Sequence, residues 1–187
     1  MRALTLGLIV ALAACGNATS STSTSAEPTG TTTATFDPAD LVLYESAAYG
    51  FAIAHPVDWT VSEVTVENLI GFTAPSGGLL TPNFNVTINE VPTELVPIAY
   101  YEGEIERVST SLENAEILEV ADVNVDGVIG RGLTVITRQA DMDIGISRII
   151  VINEGRAYEL SFFAEAADLQ RLSSMVTAIF QSFQFIP

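Results

Sequence analysis

The chain contains one histidine, His55, which is therefore the first residue to consider for catalysis. A serine hydrolase needs a serine, a histidine and a carboxylate held within hydrogen-bonding distance of each other. The sequence has no Gly-x-Ser-x-Gly segment, which is typical of one large group of such enzymes. His55 precedes Pro56 in an apolar segment that ends at Trp59, and this context favours a structural role. A hydrolase that uses His55 is kept as an alternative hypothesis.

A second candidate is the segment 122–127, Asp-Val-Asn-Val-Asp-Gly, which matches the first half of a calcium-binding loop. Such a loop needs a bidentate glutamate at its twelfth position, which here is occupied by Leu133. The valines alternate with polar residues as in a strand, and Asp-Gly is typical of a tight hairpin turn. We therefore expect a hairpin, with Asp122, Asn124 and Asp126 as weak candidates for a metal site.

A few other residues have side chains suited to ligand binding. Asp141 and Asp143 can form a shared carboxylate site, although a solvated turn is the favoured interpretation. Trp59, Tyr100 and Tyr101 can line a ligand pocket, although aromatic residues in such apolar segments usually belong to the core. The sequence has no zinc, haem or dinucleotide signature, so we expect no cofactor.

Cys15 is the only cysteine, so an internal disulfide is excluded. Arg2 and the apolar segment 4–12 are typical of a secretory signal peptide, which we place at residues 1–14. The sequence Leu-Ala-Ala-Cys at 12–15 resembles the lipobox of bacterial lipoproteins. The resemblance implies cleavage before Cys15 and attachment of lipid, such as palmitate, to its thiol and often to the new amino end. We expect a protein anchored on the extracytoplasmic face of the cell membrane.

Residues 15–37 form the predicted lipidated tether, because 12 of the 19 residues at 17–35 are serine or threonine. Such a composition builds no core and behaves as a flexible linker. The chain has 23 acidic residues, seven basic ones and a net charge of −16, which repels nucleic acid. The expected partners are the lipid bilayer, through Cys15, and an envelope protein.

Residues 38–187 form the predicted folded domain, with short apolar segments that alternate with two amphipathic segments. Period-two segments predict seven or eight strands, and Asp-Gly and Glu-Gly pairs at 126–127 and 154–155 predict hairpins between them. Apolar residues at helical spacing predict two helices, one from Ile98 to Leu112 and one from Leu169 to Phe183. Many hairpin-joined strands with two helices indicate the α+β class.

Three segments carry a resemblance to a known family. Residues 49–59, YGFAIAHPVDW, are similar to the opening of PsbP-like domains, and residues 155–162, GRAYELSF, and 180–185, FQSFQF, are similar to their close. LpqN-type lipoproteins of actinobacteria share this layout. The resemblance implies an α/β/α sandwich with a central antiparallel sheet of about six to eight strands. His55 departs from it, because the family often has an aromatic residue there.

Members of this family are mostly non-catalytic, and photosynthetic members are accessory subunits near a manganese–calcium centre. The resemblance therefore implies a non-enzymatic binding or accessory module at the membrane. Besides the hydrolase that uses His55, a second alternative is a carrier of a small ligand or of a cation such as Ca²⁺. A carrier requires a dry cavity of a few hundred Å³ between sheet and helix.

Overall fold

The computed structural model of the chain describes residues 37–64, 67–76, 78–112 and 114–187. The predicted signal peptide, Cys15 and all of the tether except its last residue lie outside these residues. Within them, neither helix combines the length and apolarity that crossing a membrane requires. The strands and helices are β1 (Leu41–Ser46), β2 (Phe51–Pro56), β3 (Thr60–Val64), β4 (Leu69–Thr73), β5 (Asn83–Glu90), α1 (Pro97–Ser111), β6 (Glu116–Val125), β7 (Val128–Gln139), β8 (Met142–Asn153), β9 (Arg156–Glu165), α2 (Leu169–Gln181) and β10 (Gln184–Phe185).

A seven-stranded sheet in the order β3-β4-β5-β9-β8-β7-β6 forms the centre of the fold, and all its neighbouring strands are antiparallel. Both predicted hairpins are confirmed. The φ values are 48° at Asp126 and 85° at Gly127, and 48° at Glu154 and 76° at Gly155. Positive φ at both central residues is typical of the tight turns that suit twisted strands. This architecture confirms the predicted α+β class.

A second, three-stranded sheet has the order β1-β2-β10. The β1–β2 hairpin aligns Leu41 with Pro56, and the short β10 places Phe185 opposite Phe51. Strands β1 and β2 are neighbours in the sequence, whereas β10 is more than 100 residues away, so this sheet joins the two ends of the folded domain. Period-two patterns predicted the strands but not their division between two sheets.

The two faces of the central sheet are buried against different elements. Along β8, Ile149 and Val151 belong to one apolar core, whereas Ile150 belongs to another, as expected for side chains that alternate between faces. The first core contains residues of α2 and of the small sheet, including Val176 and Phe51. The second core contains Tyr101 and other residues of α1. Helices therefore cover both faces, and the predicted α/β/α sandwich is confirmed.

The two helices differ in how much apolar surface they bury. The residues of α2 that are buried are Met175, Val176 and Ile179, whereas those of α1 are Tyr101 and Val108. Ile98, which the helical spacing placed on the inner side of α1, is 44% exposed. The Tyr101 hydroxyl donates to the carbonyl oxygen of Ile129 at 3.2 Å and accepts from the amide of Ile152 at 3.2 Å. Helix α1 therefore depends on polar contacts with the sheet.

Two glycines provide a test of this packing. A methyl group added at Gly130 would lie 2.5 Å from the carbonyl oxygen of Ile150, whereas nothing lies within 4 Å of one added at Gly103 in α1. We expect Gly130→Ala to destabilise the protein by about 2 kcal/mol, because β7 and β8 must separate. Gly103→Ala should stabilise it by about 1 kcal/mol, because alanine favours the helix.

Urea denaturation monitored by Trp59 fluorescence measures both free energies of unfolding. Equal effects of the two substitutions would contradict the tight approach of β7 to β8.

Candidate functional site

His55 lies on β2 and is 7% exposed. Its Nδ1 is 2.9 Å from the carbonyl oxygen of Pro56, to which it can only donate. The imidazole centre lies 4.9 Å from that of the Phe72 ring, within the apolar core. These contacts hold the ring as a packed core residue, and its hydrogen-bond partner is backbone rather than a serine or a carboxylate. The alternative hydrolase hypothesis thus gains no support from the surroundings of His55.

The three weak metal candidates each have a separate partner. Asp122 forms an ion pair with Arg131 at 2.8 Å, and Asn124 accepts a hydrogen bond from the amide of Gly127 at 3.0 Å. Asp126 accepts one from the amide of Phe185 at 2.9 Å, which links the β6–β7 turn to β10. Among the described residues, no group of three His, Cys, Asp or Glu side chains is arranged to hold a metal ion. The segment is built as a hairpin, with its oxygens engaged in structure.

The remaining candidates lie apart from each other. Asp141 and Asp143 lie at the β7–β8 turn, 3.8 Å and 3.6 Å from Arg138, and Asp141 is fully exposed. Trp59 is buried against Phe162, with ring centres 6.4 Å apart, so it belongs to the core. Of the residues that sequence analysis singled out, Tyr100 enters a polar site beneath α1, whereas the Tyr101 hydroxyl bonds to the backbone of Ile129 and Ile152.

This polar site is centred on Glu159 of β9, which is 8% exposed, and we call it the Glu159 network. The Glu159 carboxylate accepts hydrogen bonds from Asn89 at 3.1 Å and from the Tyr100 hydroxyl at 3.3 Å. Arg148 lies 3.7 Å from the same carboxylate and donates through Nε to the Ser161 hydroxyl at 2.8 Å. Arg107 of α1 lies 3.8 Å from Glu159 on the solvent side and pairs with Glu104.

Burial dominates the electrostatics of the Glu159 network. It lowers the pKa of Arg148, against the opposing effect of Glu159, and it raises the pKa of Tyr100 to about 12. The Arg148 Nη1 atom is buried and has no hydrogen-bond partner among the described residues, although Glu159 is within ion-pair distance. Because removing charges from water is costly, a buried pair of this kind adds little net stability, although loss of one partner is destabilising. Neither Arg148 nor Glu159 was identified as a candidate from the sequence.

A groove lies on the opposite face of the sheet, between α2 and strands β6 to β8. Its cavity has a volume of about 360 Å³, and a second cavity of about 350 Å³ continues it towards the β6–β7 turn. The two cavities share four lining residues, so we treat them as one feature, the α2 groove. The shared residues are Val123, Ile149, Thr177 and Phe180.

The α2 groove exists because the side chains on this part of the sheet are small. Ala121 pairs with Gly132, and Thr134 pairs with Ser147, so that neighbouring strands present little volume towards α2. A methyl group at Gly132 would already lie 3.0 Å from Val123. The sheet surface that faces this part of α2 is consequently recessed, and Val176 and other residues of α2 form one wall of the groove. A concave, mainly apolar surface of this size suits a ligand or a partner side chain.

The antiparallel sheet, the helix on each face and the engaged polar groups define a sandwich domain of the α+β class. The chain belongs to the family of PsbP-like proteins, whose family model matches residues 4–185. No curated protein matches the chain at a significant level.

Several solved structures share this fold. LpqN, which is involved in cell envelope biogenesis of Mycobacterium tuberculosis, has 12% identity and a TM-score of 0.63, with 73% of this chain and 83% of that chain covered. Cyanobacterial PsbP from Synechocystis has 16% identity and a TM-score of 0.57, with 79% and 93% covered. PA94 of Pseudomonas aeruginosa, a protein of unknown function described as a candidate regulator, has 14% identity and a TM-score of 0.60, with 79% and 98% covered. At these identities the likeness shows the fold alone.

The Glu159 network can be tested by a double-mutant cycle. We expect Glu159→Leu to destabilise the protein by about 3 kcal/mol, because the substitution leaves the Arg148 guanidinium buried without its counter-charge. Arg148→Met combined with Glu159→Leu should restore most of this loss, because neither charge is then buried. Urea denaturation of the single and double variants measures the coupling. Additive effects of the two substitutions would contradict the proposed pairing.

Proposed function

We propose that this protein is a lipid-anchored, extracytoplasmic binding module that uses the α2 groove to hold a partner at the cell membrane. The groove carries the proposal, because it is a preformed, mainly apolar concavity with a few polar side chains among its lining residues. Most of its lining residues are small or apolar, and the polar ones are Glu119, Thr134, Ser147, Arg148, Ser173 and Thr177. The described polar clusters have structural partners, which favours binding over catalysis.

The family and the fold support this role. The chain is a PsbP-like protein, and the solved relatives include LpqN, a protein of cell envelope biogenesis, and PA94, described as a candidate regulator. None of these descriptions names an enzyme. The expected occupant of the α2 groove is therefore a segment of another envelope protein.

The membrane anchor rests on Cys15, its lipobox and the Ser/Thr-rich tether. An attached diacylglyceryl group with a further acyl chain gives stable membrane binding, whereas a single acyl chain gives only a marginal one. The tether then separates the acidic domain from the lipid surface.

Replacement of the lipidated residue tests the anchor. We expect Cys15→Ser to move the protein from the membrane fraction to the soluble extracytoplasmic fraction, because no acyl chain can then be attached to the thiol. The unsubstituted chain, expressed and fractionated in parallel, is the control. Recovery of the Cys15→Ser chain with the membranes would refute lipid anchoring through this residue.

A second candidate function is the transport of a small apolar ligand, which the volume of the α2 groove favours. An apolar dye tests whether the groove binds apolar groups at all. We expect Nile red to fluoresce strongly with the Cys15→Ser chain and to return to the emission of free dye with Thr177→Trp. Thr177 is exposed and lines the groove, so the larger ring should fill the cavity without disturbing the core.

The matched control is Ser174→Trp, at an exposed position of α2 outside the residues that line the groove. It should leave the dye signal unchanged. Equal fluorescence of all three chains would show that the groove does not bind apolar groups.

A further inference from the structure

Strand β6 lies at one edge of the seven-stranded sheet and borders the α2 groove. Among the residues that the structure describes, β6 pairs with β7 alone, so its other side offers unpaired backbone groups. An irregularity between Ile117 and Glu119 interrupts the pairing near the beginning of β6, and residues 119–125 pair regularly. The strand at the opposite edge, β3, is five residues long. The open edge of β6 is thus longer than that of β3.

The register of the hairpin identifies the backbone groups that point outwards. The turn has two residues, so Val125 and Val128 form the hydrogen-bonded pair that closes it. Hydrogen-bonded and non-hydrogen-bonded pairs alternate along an antiparallel ladder. The N–H and C=O groups of Val120, Asp122 and Asn124 consequently point away from β7. These three residues form a template on which a further strand can pair.

The side chains next to this template favour an added strand with apolar residues. On one face of β6, Ala121 and Val123 line the α2 groove, so alternate side chains of an added strand can enter it. On the other face, Val120 is 42% exposed and Ile129 of β7 is 58% exposed. These two side chains are not cross-strand neighbours, because Val120 pairs with Leu133 and Ile129 pairs with Asn124, but each adds exposed apolar surface next to the open edge.

Charge determines the chemistry of the occupant. The edge carries the exposed carboxylates of Glu116 and Glu119, and Asp122 is 70% exposed although it is paired with Arg131. A second copy of the chain would bring the same carboxylates, and a net charge of −16, against this edge. Opposite charges on neighbouring strands attract each other, whereas like charges repel. The carboxylates at the β6 edge therefore attract a basic segment, whereas they repel a second copy of this acidic chain.

We propose that β6 binds an extended, basic segment of a partner protein by strand addition, with alternate apolar side chains of the segment in the α2 groove. The inference rests on the proposed function as a binding module and assigns the mode of binding and the chemistry of the partner. The main-chain bonds of residues 120–124 supply affinity, and the groove and the carboxylates supply selectivity.

The test uses a short synthetic peptide that alternates valine with arginine, and the Cys15→Ser chain, at physiological salt. We expect hydrogen exchange at the amides of Val120, Asp122 and Asn124 to slow when the peptide binds. A peptide of the same sequence with alternate N-methylated amides keeps its charge but cannot pair along one edge. It should bind at least about tenfold more weakly, which corresponds to one or two lost backbone hydrogen bonds.

Variants of the chain separate backbone pairing from charge attraction. Val120→Pro removes an outward amide and leaves the bonds to β7 intact, so it should weaken peptide binding about tenfold, whereas Val120→Thr should not. Glu119→Gln should weaken binding, and Glu67→Gln, which removes an exposed carboxylate between β3 and β4, should have no effect. Circular dichroism of each variant verifies that the sheet is retained.

The outcomes distinguish this inference from the proposed function. Unchanged binding to Val120→Pro, with loss of binding to Thr177→Trp, would overturn strand addition and leave the groove as the binding surface. Protection of the outward amides of Val120, Asp122 and Asn124 in the free chain would show that its own residues or a second copy already occupy the edge, which also overturns the proposal. Loss of peptide binding in Val120→Pro, with retention in Val120→Thr and slowed exchange along 119–125, supports it.

Discussion

Strands β8 and β9 bury both of their faces, and this constraint determines the arrangement of the other elements. Residues 157–162 of β9 are buried without a break, so neighbouring side chains point into two different cores. Each of these positions must be apolar or must have a polar partner, because an unpaired buried polar group is costly. One face therefore requires α1, and the other requires α2 and the small sheet.

Glu159 shows how the constraint is met where a residue is not apolar. It points into the core beneath α1, where Asn89, Tyr100 and Arg148 satisfy its carboxylate. Tyr100 and Arg107 connect this cluster to α1, whose buried residues are Tyr101 and Val108. Polar contacts with the Glu159 network thus add to the apolar packing of α1 on the sheet, whereas α2 packs on the sheet through a wider apolar face.

Much of the fold could be predicted because local signals and tertiary structure agree. The Asp126-Gly127 and Glu154-Gly155 turns need positive φ, which their residue types favour, and the strands between them alternate in polarity. The third hairpin of this kind, at Ala140-Asp141, has positive φ values of 49° and 65° but no glycine, and it was seen only as a solvated turn. Strands on either side of a turn at Gly50 were expected, but the addition of β10 to form the small sheet was not, because that pairing joins the two ends of the domain and no local pattern encodes it.

The candidate sites were harder to predict for physical reasons. The α2 groove depends on where α2 lies relative to Ala121, Gly132 and Ser147, and small residues give no signal of a cavity by themselves. Arg148 did carry a signal, since it lies at the same strand face as Ile146 and Ile150. A charged residue at a core position of a strand indicates a buried partner. Its partner could not be named, because Glu159 lies on another strand.

The attachment of α1 has a consequence for how the molecule opens. The Tyr101 hydroxyl bridges Ile129 and Ile152, where the β7–β8 ladder has ended, and the helix has no side-chain cap at its first turn. Directional bonds of this kind break together, whereas broad apolar contacts weaken gradually. We therefore expect helix α1 to open as a separate unit of local unfolding, with a free energy below that of global unfolding. When it detaches, the aliphatic side chains of Leu133, Val135 and Ile146 meet water before the rest of the sheet is disturbed.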